Sequence, residues 1–185
     1  IEVKNFHTSY NQGSGGAICN DGGGAIDIQN CKFTSNYAND NQGGAIYSSG
    51  GSEESVIKNC EFSDNHALNG AAGGTISIEE GTHTISNCNF HDNASESASA
   101  GGIFVYGGTN RIESCTFKNN SAQWGGAVAI EAGTNVMKDC TITGNTASTF
   151  GGGIYIKNGT NALTGVMTIT DNICPKGKNR YLYAS

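Results

Sequence analysis

Asn59-Cys60-Glu61-Phe62-Ser63-Asp64-Asn65 is one copy of a motif that returns along almost the whole chain, and a glycine pair such as 73–74 follows every copy but the last. The last asparagine of the motif stands at positions 11, 36, 65, 93, 120, 145 and 172, so successive copies are 25, 29, 28, 27, 25 and 27 residues apart. A period in this range is typical of a solenoid, in which each repeat stacks on the next. The repeat therefore says more about architecture than about activity.

Each repeat is predicted to form three short strands that are separated by glycine or asparagine corners. After the glycine pair at 73–74, residues 75–78 alternate polar and apolar side chains, as in a strand with one inward face. A second strand ends at Ile85, and a third strand points Cys88 and Phe90 inward. The sequence shows no i, i+3, i+4 spacing of apolar residues that would indicate a helix of useful length.

Equivalent positions carry similar side chains in every copy, so the repeats can share a core only if they stack. The first strand is predicted to point apolar side chains inward at Ile46, Ile76, Ile78, Phe104, Val128, Ile130, Ile154 and Ile156. Parallel strands about 4.8 Å apart would place these side chains one above another. We therefore predict an all-β fold, a right-handed parallel β-helix of about six to seven coils and roughly 30 Å in length.

Two interior columns are expected from this stacking. Asparagine tolerates the left-handed conformation of a corner, and stacked amides can hydrogen-bond from coil to coil. The predicted ladder contains Asn36, Asn65, Asn93, Asn120 and Asn145. A functional row of asparagines on the surface is the alternative.

A column of cysteines is expected beside the ladder, because Cys31, Cys60, Cys88, Cys115 and Cys140 each stand two residues before an inward apolar side chain. Buried thiols of this kind act as small apolar groups. Neighbours in the column could still oxidise in pairs. Zinc and iron–sulfur sites need ligands that converge on one point, so a column predicts no metal site.

Three side chains are candidates for contact with other molecules. Cys19 follows the inward Ile18 and should face outward, where its thiol is available to link to a partner chain. Trp124 and Phe150 precede the glycine pairs of consecutive coils and should lie one above the other. An exposed aromatic pair suits a sugar or a protein partner. The alternative is that the two rings only cover a corner.

Catalysis is disfavoured by the distribution of reactive side chains. Lyases and hydrolases with a β-helical shape need clustered carboxylates and a base, whereas the acidic pairs at 53–54 and 79–80 fall in turns. The histidines are expected to occupy different positions in their coils, and no Ser-His-Asp or Cys-His arrangement follows from the spacing. We therefore expect no catalytic residue, no metal and no cofactor.

Composition and chain ends give further expectations. The net charge of −6, with 10 basic residues, argues against nucleic acid and anionic lipid as partners. The sequence contains no apolar window of about 18 residues, so membrane insertion by this segment is not expected. Residues 1–185 are predicted to form a single domain, with 175–185 as a C-terminal edge or cap that Pro175, Lys178 and Arg180 blunt. An open N-terminal coil predicts end-to-end stacking into a rod or filament.

The repeat resembles that of the chlamydial polymorphic outer membrane proteins, and similar repeats occur in adhesin-like surface proteins of other bacteria and of archaea. The resemblance rests on Gly-Gly-Ala-Ile at 15–18 and 43–46, and on Phe-x-x-Asn at 33–36, 62–65, 90–93 and 117–120. It implies a non-catalytic, extracellular structural or adhesive segment of a cell-surface protein. The implied partner is a protein or glycan on a host or neighbouring cell. A carbohydrate-active enzyme or glycan-binding module is the alternative.

Overall fold

The computed structural model describes residues 1–8, 14–39, 42–68 and 73–175, and the backbone of Leu182–Ala184. The described strands form four parallel sheets, and each sheet takes one strand from successive coils. The chain is thus a parallel β-helix of about six coils, which confirms the predicted fold class. Each coil contains four strands rather than the predicted three. The described residues form no helix long and apolar enough to cross a membrane.

We number the sheets in the order in which the chain enters them. Sheet 1 contains β1 (Glu2–Lys4), β5 (Lys32–Thr34), β9 (Glu61–Ser63), β13 (Asn89–His91), β17 (Thr116–Lys118), β21 (Thr141–Thr143) and β25 (Thr168–Thr170). Sheet 2 contains β2 (His7–Thr8), β6 (Tyr37–Asn39), β10 (His66–Leu68), β14 (Ala94–Ser95), β18 (Ser121–Trp124) and β22 (Thr146–Phe150). Sheet 3 contains β3 (Ile18–Asn20), β7 (Ile46–Ser48), β11 (Ile76–Ile78), β15 (Ile103–Val105), β19 (Val128–Ile130), β23 (Ile154–Ile156) and β26 (Leu182–Ala184). Sheet 4 contains β4 (Asp27–Gln29), β8 (Glu54–Lys58), β12 (Thr82–Ser86), β16 (Thr109–Glu113), β20 (Thr134–Lys138) and β24 (Thr160–Thr164).

Side chains of successive coils lie directly above one another in the core. On sheet 1, the rings of Phe33, Phe62, Phe90 and Phe117 stack with centroid separations of 4.9, 4.7 and 4.8 Å. These separations equal the spacing of neighbouring strands, about 4.8 Å, so the register of the backbone sets the stack. The inward isoleucines of sheets 3 and 4 pack against these rings in a single core. Truncating one such buried ring to alanine typically costs about 3–5 kcal/mol.

The strands of sheet 2 are the ones that the sequence analysis did not predict. The small residues two positions after each asparagine were interpreted as part of a tight corner. They are instead the inward residues of sheet 2, as the pairing of Ala38 with Ala67 and of Ala122 with Ala147 shows. Each strand of sheet 2 except β2 has a single buried side chain, and it is small, so no apolar alternation marks the strand in the sequence.

The predicted inward position of Phe104 is wrong. Phe104 pairs with Ser77 and Ala129 on the outer face of sheet 3, while its neighbours Ile103 and Val105 point into the core. The cause is the position of the glycine pair: in the register that pairs Ile76 with Ile103, Gly102 takes the place of Thr75. The pair at 101–102 therefore lies one residue later in its corner than the pair at 73–74, and Ala100, with a φ of 58°, takes the place of Gly73. The side-chain period of a strand is two, so counting from the glycine pair assigns Phe104 to the wrong face.

The glycine pairs allow backbones of adjacent coils to come close. Gly73 has a φ of 85°, which a residue with a Cβ atom adopts only at a cost. A Cβ atom on Gly74 would collide with the backbone carbonyl groups of Ala100 and Gly101 in the next coil. The glycines are therefore required by coil-to-coil packing as well as by the turn.

An asparagine ladder connects the coils at the corner between sheets 1 and 2. Asn93 is typical: its Nδ2 donates to Asn120 Oδ1 at 2.9 Å and to the carbonyl oxygen of Phe62 at 3.0 Å. Its Oδ1 accepts the backbone N–H of Asn65 at 2.9 Å and the side-chain N–H of Asn65 at 3.0 Å. The ladder runs through Asn36, Asn65, Asn93, Asn120, Asn145 and Asn172. These amides are buried, which excludes the alternative of a functional surface row; the remaining asparagine of the repeat, Asn11, lies outside the described residues.

A second polar column, which the sequence did not predict, lies inside sheet 4. Asn110 donates from Nδ2 to Asn135 Oδ1, and Asn135 donates in the same way to Asn161 Oδ1, both at 2.9 Å. Ser55 and His83 occupy the equivalent positions of the two preceding coils. The residue type in this column changes from serine to histidine to asparagine between coils, so the column does not appear as a repeated residue in the sequence.

Candidate functional site

The five cysteines of the predicted column lie in the core at the corner between sheets 4 and 1. Each thiol donates to a backbone carbonyl oxygen two residues earlier, as Cys88 Sγ does to Ser86 at 3.3 Å. A hydrogen bond with Cys115 and burial raise the pKa of Cys88 to about 12. The pKa of Cys60 is also raised, by a hydrogen bond with Cys88 and by burial. A protonated, buried thiol is neither a good nucleophile nor a good metal ligand, so this column has a structural character.

All seven cysteines are free thiols, and their exposure differs. Cys19 lies on the outer face of sheet 3 and is exposed, whereas Cys174 is buried and donates to the carbonyl oxygen of Thr149 at 3.1 Å. Cys19 therefore has the access that an intermolecular bond requires.

One serine and one histidine approach each other, which the spacing did not predict. Ser48 Oγ lies 3.0 Å from His83 Nε2, a distance that suits a nucleophile and its base. Both side chains are buried, at 0% and 2% exposure, and Nδ1 of the histidine has no hydrogen-bond partner. Burial also lowers the pKa of His83 to about 4. Burial of both side chains keeps this pair away from solvent, and among the described residues no carboxylate hydrogen-bonds to the imidazole.

Two histidines form a column, contrary to the expectation that all four occupy different positions. His7 and His66 both pair with Tyr37 on the outer face of sheet 2, and the three rings stack with centroid separations of 4.6 and 5.0 Å. The tyrosine keeps the two imidazoles apart. In the described part of the chain, no group of three or more His, Cys, Asp or Glu side chains is arranged to hold a metal ion.

A concave surface of about 600 Å³ lies against the outer face of sheet 3, and we call it the aromatic groove. Ligand-binding clefts typically enclose about 300–1,000 Å³, so its size suits a small ligand. Its lining includes Glu79, Ser99, Phe104, Tyr106, Trp124 and Glu131.

Three vertical columns build this groove. The floor is the outward column of sheet 3, which runs through Tyr47, Ser77, Phe104, Ala129 and Tyr155. Phe104 packs here with Ala100, Ala129 and the half-buried Tyr155, in an apolar cluster separate from the main core.

The first wall is the column that precedes the glycine corners, Ser99, Trp124 and Phe150. Trp124 and Phe150 lie in register one above the other, and both are half-buried. Their ring centroids are 6.5 and 6.4 Å from that of Tyr155, which joins them into one aromatic surface. Trp124 lines the groove, and Phe150 extends the same aromatic surface beside it.

The second wall consists of the residues that follow each strand of sheet 3, namely Glu79, Tyr106, Glu131 and Lys157. Tyr106 is 55% exposed and presents its ring between the two carboxylates. Glu79 accepts a hydrogen bond from the Tyr47 hydroxyl, and burial together with this bond raises the pKa of the tyrosine. Glu131 pairs with Lys157 at 2.7 Å. This wall combines an aromatic face with two carboxylates.

Sequence reasoning identified Trp124 and Phe150 but missed Tyr106, Tyr155 and the two glutamates. Glu79 was grouped with Glu80 as a solvated turn pair, yet it contacts Tyr47 across the groove. The other acidic pair lies elsewhere, since Glu54 on sheet 4 accepts a hydrogen bond from Thr84.

Comparison with known proteins gives one match. The family described as right-handed β-helix region matches residues 1–174. Neither the curated proteins nor the solved structures contain a match.

Proposed function

This chain belongs to the right-handed β-helix family, and we propose that it is a non-catalytic adhesive segment of an extracellular, cell-surface protein. The aromatic groove is the proposed contact surface. The resemblance of the repeat to that of the chlamydial polymorphic outer membrane proteins supports an exported, adhesive role. The proposed partner is a protein or glycan on a host or neighbouring cell.

The closed interior supports a function that resides on the outer faces. The core contains stacked aromatic and aliphatic side chains, and the asparagine ladder pairs its buried amides from coil to coil. A ligand has no path into such an interior without breaking these contacts. The buried Ser48–His83 pair is inaccessible for the same reason.

The groove itself is the observation that carries the proposal. Tyrosine and tryptophan are enriched at protein interfaces, because one end of each ring is apolar and the other can hydrogen-bond. Tyr106 and Trp124 line opposite walls of one groove, and Phe104 closes its floor. An adhesive contact needs such a preformed surface.

A carbohydrate-active enzyme is the second candidate, because Glu79 and Glu131 flank Tyr106. The two glutamates belong to one column, in coils that are two steps apart, so their backbones are about 10 Å apart along the axis. Glycosidases use a pair of carboxylates at comparable distances. Both carboxylates are already engaged, however: Glu131 forms an ion pair with Lys157 at 2.7 Å, and Glu79 accepts a hydrogen bond from the Tyr47 hydroxyl. Binding without cleavage is therefore the better supported function.

Adhesion of the purified chain to intact cells tests the proposal. We expect the fluorescently labelled chain to bind, and Tyr106→Ala to weaken that binding several-fold. Tyr37→Ala removes a half-buried aromatic ring from the outer face of sheet 2 and is the matched control. Equal loss of adhesion in both variants, or none in either, would rule out the groove as the contact surface. Release of sugar fragments from a polysaccharide panel would favour the enzyme.

Two further proposals concern association between copies of the chain. End-to-end stacking into a rod would appear in light scattering as a mass that grows with concentration and is insensitive to reductant. A link through Cys19 would appear as a dimer that reductant dissociates and that Cys19→Ser abolishes. A monomer under all conditions contradicts both proposals.

A further inference from the structure

We propose that the aromatic groove binds a short oligosaccharide of amino sugars, with the sugar rings against Tyr106 and Trp124 and the ammonium groups at Glu79 and Glu131. The inference rests on the proposed function, because it assumes that this groove is the contact surface. It adds the chemical class of the ligand.

The aromatic side chains favour a ligand with flat apolar faces and a positive charge. Tyr106 is exposed, and Trp124 is half-buried beside Tyr155, so ring faces are available on two walls. The face of an aromatic ring carries a negative quadrupole that attracts a cation within about 6 Å. A pyranose ring supplies apolar C–H groups, and an amino sugar adds the ammonium group.

The carboxylates favour a cationic ligand over an acidic one. Glu79 and Glu131 lie on the same wall, one on each side of Tyr106. Glu131 already pairs with Lys157 at 2.7 Å, so a ligand ammonium group would share this carboxylate with the lysine, whereas Glu79 accepts a hydrogen bond from the Tyr47 hydroxyl. The net charge of −6 adds a long-range field that repels polyanions. Acidic polysaccharides are therefore disfavoured as ligands of this groove.

The length of the groove favours an oligomer over a single amine. Its lining extends from Gln42, which follows β6, to Glu131, which follows β19. These residues belong to coils that are three steps apart, which corresponds to about 14 Å along the axis. A free ammonium ion or choline headgroup would fill only a fraction of the volume of about 600 Å³. Two or three linked sugar rings fill it better.

Trp124 is the only tryptophan in the chain, so its fluorescence and its indole N–H resonance report occupancy of the groove directly. The probes are a glucosamine tetramer, an N-acetylglucosamine tetramer and a galacturonate tetramer, each titrated at about pH 6 in low salt. We expect saturable shifts with the glucosamine tetramer and about tenfold weaker binding of its acetylated counterpart. The galacturonate tetramer should not bind. Affinity for the glucosamine tetramer should fall with added salt.

Substitutions test the contribution of each of the two carboxylates to binding. Glu79→Gln and Glu131→Gln should each weaken binding of the glucosamine tetramer about tenfold, since a charge-assisted hydrogen bond is lost. Glu54→Gln removes an exposed carboxylate from sheet 4 and should leave binding unchanged. Circular dichroism confirms that each variant keeps the fold.

The outcomes separate the ligand class from the proposed function. Equal affinity for the glucosamine and acetylated tetramers, or preference for galacturonate, overturns the amino-sugar inference. Binding of a lysine-rich peptide or choline, but not of the tetramer, overturns it as well. If Tyr106→Ala still reduces adhesion to cells in that case, the groove remains the contact surface and only the ligand class is wrong. If the glucosamine tetramer does not bind and Tyr106→Ala does not reduce adhesion, both the amino-sugar inference and the proposed function are overturned.

Discussion

His83 should make the stability of this fold depend on pH. Its imidazole is 2% exposed, and burial lowers its pKa to about 4 from the ordinary value of 6.5. The unfolded chain therefore takes up a proton near pH 6.5, whereas the folded chain stays neutral until about pH 4. Stability is full above the unfolded pKa and decreases as the pH falls through this window.

The structure also suggests how to remove this dependence. Asn110 Oδ1 lies in the next coil, in register with His83, and like Nδ1 of the imidazole it is buried without a hydrogen-bond partner among the described residues. An asparagine at position 83 can donate to this oxygen, as Asn110 itself donates to Asn135. His83→Asn should therefore extend the second ladder by one coil and eliminate the titrating group.

The magnitude follows from the size of the pKa shift. A shift of 2.5 units, from 6.5 to about 4, corresponds to about 3 kcal/mol at full effect, of which about 2.5 kcal/mol is lost between pH 7 and pH 4.5. Carboxylates contribute at lower pH: hydrogen bonds from Lys32 and His91 lower the pKa of Glu61. Their stabilisation is lost only as the pH approaches and passes below about 4.5, so the upper window belongs to the histidine.

Urea unfolding at several pH values measures this effect. The wild type should lose about 2.5 kcal/mol between pH 7 and pH 4.5, and His83→Asn should lose less than about 1 kcal/mol. His7→Asn, which removes an exposed imidazole from sheet 2, should behave like the wild type. The reasoning is refuted if His83→Asn and the wild type show the same pH dependence over this range.

Three other predictions test the columns and the thiols. Asn93→Ala should destabilise the fold by about 3 kcal/mol, because it leaves buried N–H groups unpaired, whereas Asn59→Ala at an exposed corner should cost less than about 1 kcal/mol; similar costs in calorimetry would contradict the buried ladder. Gly74→Ala should cost about 3 kcal/mol through collision with the next coil, against about 0.5 kcal/mol or less for Gly22→Ala, where a Cβ atom meets nothing within 4 Å; equal melting temperatures would count against close coil packing. Maleimide should label Cys19 alone in the native protein and seven thiols after unfolding; rapid native labelling of further thiols would show that the column is open.

The interior could be predicted from the sequence where residue type and position repeat together. The phenylalanine, cysteine and asparagine columns keep the same residue at the same place in successive coils, and a period of about 27 residues then requires vertical stacking. Sheet 2 escaped this reasoning, because one small inward residue such as Ala67 does not distinguish a strand from a turn. Phe104 was misplaced because its glycine pair lies one residue later in the corner than the pair at 73–74, and a count that is wrong by one residue changes the predicted face of a strand.

The groove could be predicted only in part, for a different physical reason. Outward positions carry no packing constraint from the core, so their residues vary from coil to coil. Trp124 and Phe150 were found because both precede a glycine pair. Tyr106 and Glu131 come from another column, and which outer columns face each other depends on the angles between sheets. Sequence spacing gives the order of the corners but not these angles.

Radical footprinting of the chain bound to intact cells tests most directly whether the groove is the surface that adheres. Hydroxyl radicals oxidise exposed aromatic side chains, and Tyr106 and Tyr37 lie on different faces of the same rod. The account predicts that binding protects Tyr106 and Trp124 and leaves the oxidation of Tyr37 unchanged. Protection of Tyr37 alone, with full oxidation of both groove residues, would contradict it.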